Sequence, residues 1–103
     1  MNRPINRMRP VHPGEILQED FLTPLEMSVN ALARALDVPA TRIHEIVKQR
    51  RSITADTAQR LACYFGSDAA SWLNLQAMYD LKTLATRDEI LRTVAPRTPE
   101  PVV

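Results

Sequence analysis

Between positions 41 and 51 the chain carries Thr41, Arg42, His44, Glu45, Lys48, Arg50 and Arg51. These are side chains that can meet nucleic acid. An arginine can donate two bonds to guanine O6 and N7. A threonine can set its methyl against thymine, or its hydroxyl on a base edge or a phosphate. His44 can reach a base or a phosphate one turn further on. Lys48, Arg50 and Arg51 suit phosphates, contacts that fix register and carry no sequence information. Glu45 can orient Arg42, or reject wrong bases by repulsion from phosphate. The same residues would also make an ordinary solvated face. Their meaning depends on the element that carries them.

Other chemistry finds little support. Cys63 is the one cysteine, and His12 and His44 stand far apart, so no metal-ligand spacing arises. Asp56, Asp68, Asp80, Asp88 and Glu89 are scattered and lack a histidine or cysteine partner in sequence. We therefore expect no enzyme, no catalytic residue, no metal and no cofactor. Gly14 and Gly66 stand alone, which excludes a glycine-rich phosphate loop. No apolar run is long enough for a membrane span. The N-terminal MNRPINRMRP is basic, but no apolar stretch follows, so no secretion signal is visible. One cysteine permits no internal disulfide and fits a reducing cytoplasm.

At 103 residues the chain has the length of one domain, and 45% apolar residues suffice for a small core. A net charge of +1 hides an uneven distribution. Residues 1–14 carry Arg3, Arg7 and Arg9 and no acid, apart from Glu15 just beyond. The second basic segment is 39–51, which has Glu45 as its only acid. Positive charge concentrated in two short segments favours a local anionic contact over general adhesion to polyanions.

The elements that must position these residues read as successive helices. His12 starts the first, with Pro13 at its first position, Glu15 in its first turn and Val11 and Ile16 as a staple. Ile16, Leu17 and Phe21 give it an apolar stripe, and Pro24 stops it. Ser28 caps the second helix, with Val29, Leu32, Ala33 and Leu36 at helical spacing. Asp37 and Val38 make a short connection, and Pro39 opens a third helix with Ile43, Ile46 and Val47 inward. Thr54 caps a fourth helix, whose stripe is Ala58, Leu61, Ala62 and Phe65, and Gly66 closes it. Ser67 or Asp68 starts a fifth, carrying Trp72, Leu75 and Tyr79, with Trp72 expected on the fourth helix near Phe65. Thr86 to Glu89 matches a capping box, so the fifth helix either continues or gives way to a sixth. Cys63 is expected to be buried or half-buried.

The second and third helices have the proportions of a helix-turn-helix. That geometry needs a small residue where the helices cross, an apolar plug in the turn, and buried apolar residues behind the third helix. Ala33, Val38, and the pair Ile43 and Ile46 meet these needs. The outward face is left polar, as groove reading demands. Asn30, near the start of the second helix, then has a plausible phosphate role. Arg34 reads equally as a phosphate contact or a salt bridge to Glu45 or Asp37.

HPGEIL (12–17), SVNALARALDVPATRIHEIVKQRRSITADTAQRLACYFG (28–66) and WLNLQAMYDL (72–81) resemble the HigA antitoxins of the Xre/Cro repressor-like group. The resemblance covers about residues 10–82. It departs at Glu26, where many relatives have glycine. It implies an all-α, five-to-six-helix bundle like that of lambda repressor, a homodimer on a palindromic operator, and a HigB-type ribonuclease toxin that the chain neutralises. It thus implies a repressor of its own operon, while a stand-alone repressor or a helical protein-interaction module stays possible on residues alone. The expected organisation is a flexible basic arm (1–9), the DNA-binding domain (10–82), a helical extension for dimerisation (83–95) and a flexible tail (96–103).

Two further surfaces are expected. Two subunits can read one side of DNA only if their contact avoids the third helix. Leu75, Tyr79, Leu84, Ile90, Leu91 and Val94 offer more apolar surface than one small core needs, and are the candidate dimer contact. Glu15, Glu19 and Asp20, followed by Glu26, form the densest negative patch. They are the candidate surface for a basic toxin.

Overall fold

The computed structural model describes residues 9–98. These form helices and connections, with no strand among the described residues. Helix α1 (Pro13–Ile16) runs directly into a π-helical segment (Leu17–Leu22). There follow α2 (Val29–Leu36), α3 (Ala40–Val47), α4 (Ala55–Phe65), α5 (Ala69–Lys82) and α6 (Arg87–Thr93). The expected all-α bundle is observed. The proposed arm lies outside the described residues except for Arg9, as does the proposed tail beyond residue 98.

The helix starts fall where the sequence places them, although Thr54 precedes α4 without a side-chain cap bond. The His12 Nδ1 accepts the Gly14 N–H at 2.8 Å, and Pro13 occupies the first position, where its missing donor costs nothing. The Ser28 hydroxyl accepts the Ala31 N–H at 3.0 Å. Asp68 caps α5 through the Ala70 N–H at 2.9 Å. Gly66 ends α4 in the left-handed region at φ 70°. Thr86 precedes α6 as the capping pattern suggests, yet its side chain makes no cap bond. Its backbone, at ψ 7°, lacks the extended conformation usual for a capping residue.

The π-helical segment was not legible in the periodicity. Thr23 N–H reaches the Gln18 carbonyl at 2.9 Å, and Met27 N–H reaches Leu22 at 2.9 Å, each five residues back. One wide turn brings Leu17 and Leu22 to the same side, and both are fully buried. They join Leu32, Ala33, Leu36, Ile43, Ile46, Ile53, Ala58, Leu61 and Trp72 in one core. Phe21 packs between Phe65, at 4.8 Å between ring centres, and Trp72, at 5.3 Å. Trp72 therefore meets α4 through the Phe21 ring as well as the shared core. Cys63 is exposed, contrary to expectation, because it lies one position past the inward pair Leu61 and Ala62.

Two devices fix α3. Gly14 packs against the Ile46 carbonyl so closely that a β-carbon would overlap its oxygen. The only side chain that admits this approach is hydrogen. At the other end, Asp37 turns the chain through φ 58°, and the Val38 N–H returns to the Ala33 carbonyl at 3.0 Å. Ala33 is buried and Val38 is half-buried against the core, as the tight connection requires.

Candidate nucleic-acid interface

Helix α3 buries Ile43 and Ile46 completely, which turns Thr41, His44 and Lys48 outward. Arg42 and Glu45 flank that face and are partly covered. Arg50 and Arg51 follow in the exposed connection to α4. Gln49, at φ 63°, lets the chain leave α3 there, and the Arg50 N–H closes back on the Glu45 carbonyl at 2.8 Å.

The polar side chains of α3 are braced from three directions. His44 Nε2 lies 3.1 Å from Asn30 Oδ1 on α2, so two residues chosen independently from the sequence stand side by side. Arg42 Nη1 donates to Asp56 Oδ2 on α4 at 2.8 Å. Arg51 Nη2 meets Glu45 Oε1 at 2.8 Å. Glu45 thus pairs with Arg51, and the carboxylate that holds Arg42 is Asp56. The reason is direction: Arg42 leans toward the first turn of α4, and Glu45 toward the loop that follows α3.

Asp56 also accepts from Arg60 Nε at 2.9 Å, and Arg60 Nη1 donates to the Leu36 carbonyl at 2.9 Å. The hydrogen bonds from Arg60 and Arg42 hold the Asp56 carboxyl below the usual carboxylate range. An open cleft of about 440 Å³ is lined by Arg42, Arg51, Arg60, Ser52, Thr54 and Asp56. Three guanidiniums against one carboxylate make its balance cationic.

Behind the loop, the buried Gln76 accepts the Ile53 N–H at 2.8 Å and donates to Asp80 at 2.9 Å. This ties the segment carrying Arg50 and Arg51 to α5. Sequence reasoning missed Gln76, Asp56 and Arg60. The four-residue spacing of Asp56 and Arg60 is a readable helix pair. The link to Arg42, fourteen residues away, has no local signal.

The six residues assigned to a dimer contact divide. Leu75 packs on the core, and the Tyr79 ring meets the buried His12 ring edge-on at 4.8 Å. Leu84, Ile90, Leu91 and Val94 are exposed, together with Met78 and Leu81. Every described residue from Asp80 onward is exposed. Of the acidic group, Glu15 is engaged by Arg9 through two bonds of 2.9 Å, while Glu19, Asp20 and Glu26 are exposed. Among the described residues there is no metal-holding cluster of three or more His, Cys, Asp or Glu, and no helix long and apolar enough to cross a membrane.

A buried-backed α3 joined to α2 by the three-residue turn Asp37–Pro39, with its polar face outward, defines a repressor-like helix-turn-helix protein. The model of the helix-turn-helix family matches residues 19–72. The chain is 52% identical over 91 residues to virulence-associated protein I of Dichelobacter nodosus, covering 88% of this chain and 84% of that one. The solved Pseudomonas aeruginosa antitoxin HigA with higBA promoter superposes with TM-score 0.85 at 44% identity, covering 87% of this chain and all of that one. An addiction module antidote protein of the HigA family from Coxiella burnetii gives TM-score 0.82 at 46% identity, covering 86% and 99%. The chain belongs to the helix-turn-helix family, within its HigA antitoxin group.

Proposed function

We propose that this chain is a homodimeric antitoxin that binds operator DNA, represses its own operon and neutralises a HigB-type ribonuclease. The observation that carries the DNA reading is the outward face of α3, seated in a fold like that of a HigA solved with its promoter. Thr41, Arg42 and His44 read base edges in the major groove, and Glu45 disfavours wrong bases by repulsion from phosphate. Asn30, Lys48, Arg50 and Arg51 hold phosphates, with the cationic cleft beside the start of α4 following the backbone. The exposed apolar residues Leu84, Ile90, Leu91 and Val94, with Leu75 and Tyr79 at the edge, supply the two-fold contact. Glu19 and Asp20, with Glu15, face the basic toxin.

The test is binding to duplexes from upstream of the chain's own gene. A two-fold site with half-site centres about 34 Å apart is expected, with affinity falling steeply with salt. Equal affinity for all sequences would overturn the repressor reading. For the toxin, Glu19→Lys with Asp20→Lys should slow association and keep operator binding. Normal neutralisation by that double variant would move the toxin contact elsewhere.

A further inference from the structure

We propose that Asp56 is a positioning residue for Arg42, presenting one edge of its guanidinium to DNA and thereby setting base preference. The inference rests on the reading of Arg42 as a base-reading side chain.

Asp56 Oδ2 receives Arg42 Nη1 at 2.8 Å. That leaves Nε and Nη2 of Arg42 without a partner among the described residues. These two donors form a fork edge matching O6 and N7 of guanine. An unrestrained arginine would lose much rotamer freedom on meeting a base, and a side chain held beforehand loses less. Asp56 suits that task because it is itself held. It is short, stands in the first turn of α4, and shares its Oδ2 with Arg60 Nε at 2.9 Å. Arg60 in turn donates to the Leu36 carbonyl at the end of α2 at 2.9 Å. The chain of bonds thus runs from α2 through α4 to the base-reading residue on α3.

Charge and exposure agree with this role. A bare carboxylate beside phosphates would repel them, but Asp56 lies between two guanidiniums and the three together are cationic. The Arg42–Asp56 pair is partly exposed, with side-chain exposures of 29% and 56%. Ion pairs so placed contribute little to folding stability. Removing the carboxylate should therefore be felt in base selection.

The experiment uses the full-length protein and a panel of operator duplexes altered one base pair at a time, plus an unrelated duplex. Arg42→Ala first identifies the base pair at which discrimination is lost. Asp56→Asn should lower discrimination at that same base pair at least about fivefold, with affinity for the unrelated duplex equal or higher and the melting temperature unchanged. Asp56→Ala should behave alike, which separates the effect from any fault of the asparagine. In Arg42→Ala combined with Asp56→Asn, no further loss is expected. Full discrimination in both Asp56 variants, with Arg42→Ala defective, would overturn the inference and leave Arg42 a base reader. Tighter operator binding with discrimination intact would also overturn it, by making Asp56 a brake. No change of base preference in Arg42→Ala would instead defeat the underlying reading of Arg42.

Discussion

Gly14 of α1 lies directly on the backbone carbonyl of Ile46 in the last turn of α3. The helix that carries the candidate base readers is therefore seated on a backbone-to-backbone contact. A methyl at position 14 meets the carbonyl itself, which has no rotamer to escape through. Gly14→Ala should destabilise the fold by about 3 kcal/mol, the upper part of the range for overpacking. Urea unfolding measures it. Because α3 must shift to accommodate the methyl, operator affinity should fall as well, even at temperatures where the variant is fully folded.

Glu26 sits at φ 52°, exposed, in the connection before α2. Side chains with a β-carbon are strained in that region, whereas glycine is not. Glu26→Gly should stabilise by about 0.5–1 kcal/mol once glycine's greater unfolded freedom is subtracted. Glu26→Ala should give no such gain. Thermal melts of the two variants decide this, and operator binding should be unchanged in both.

His12 is buried, caps α1 as a neutral acceptor, and lies against Tyr79. Burial pushes its pKa down, partly offset by the charge of Asp80. The folded protein thus binds this proton less readily than the unfolded chain. Below the ordinary imidazole value of about 6.5 the unfolded state takes up more protons. Stability should be level above that pH and decline as pH falls from it toward the folded value. His12→Asn keeps an acceptor for the Gly14 N–H and removes the titration. Its stability should be flat between about pH 5 and 7, where the native protein's is not. Equal slopes for the two would refute this account.

Leu81 and Leu91 are 67% and 64% exposed, so the single chain's core does not depend on them. If the C-terminal segment forms the dimer, Leu81→Asp with Leu91→Asp should yield a folded monomer of native helix content. Operator affinity should drop at least about a hundredfold as the two half-sites lose their link. Sedimentation and binding measure the two parts. Removing everything after Met78 is a blunter test, because it deletes Tyr79 from His12 and Asp80 from Gln76.

The helices and their order were legible in local signals. Pro13, Ser28, Pro39, Asp68 and Gly66 mark boundaries because capping and backbone restriction act within a few residues. The helix-turn-helix was legible for the same reason: Ala33, Val38, Ile43 and Ile46 lie within fourteen positions, and their sizes follow from the crossing they permit. The positive φ at Glu26 is a conformation glycine adopts without strain, which accounts locally for the glycine that the family resemblance expects there and leaves the glutamate unexplained. The tertiary structure alone decided which polar groups meet. Asp56 with Arg42, Gln76 with the Ile53 amide, and Gly14 with the Ile46 carbonyl join residues 14 to 32 positions apart. Hydrogen bonds and close contacts depend on ångström distances set by how helices pack. Helical periodicity determines which face of each helix is buried, but not the angle and depth at which two faces meet.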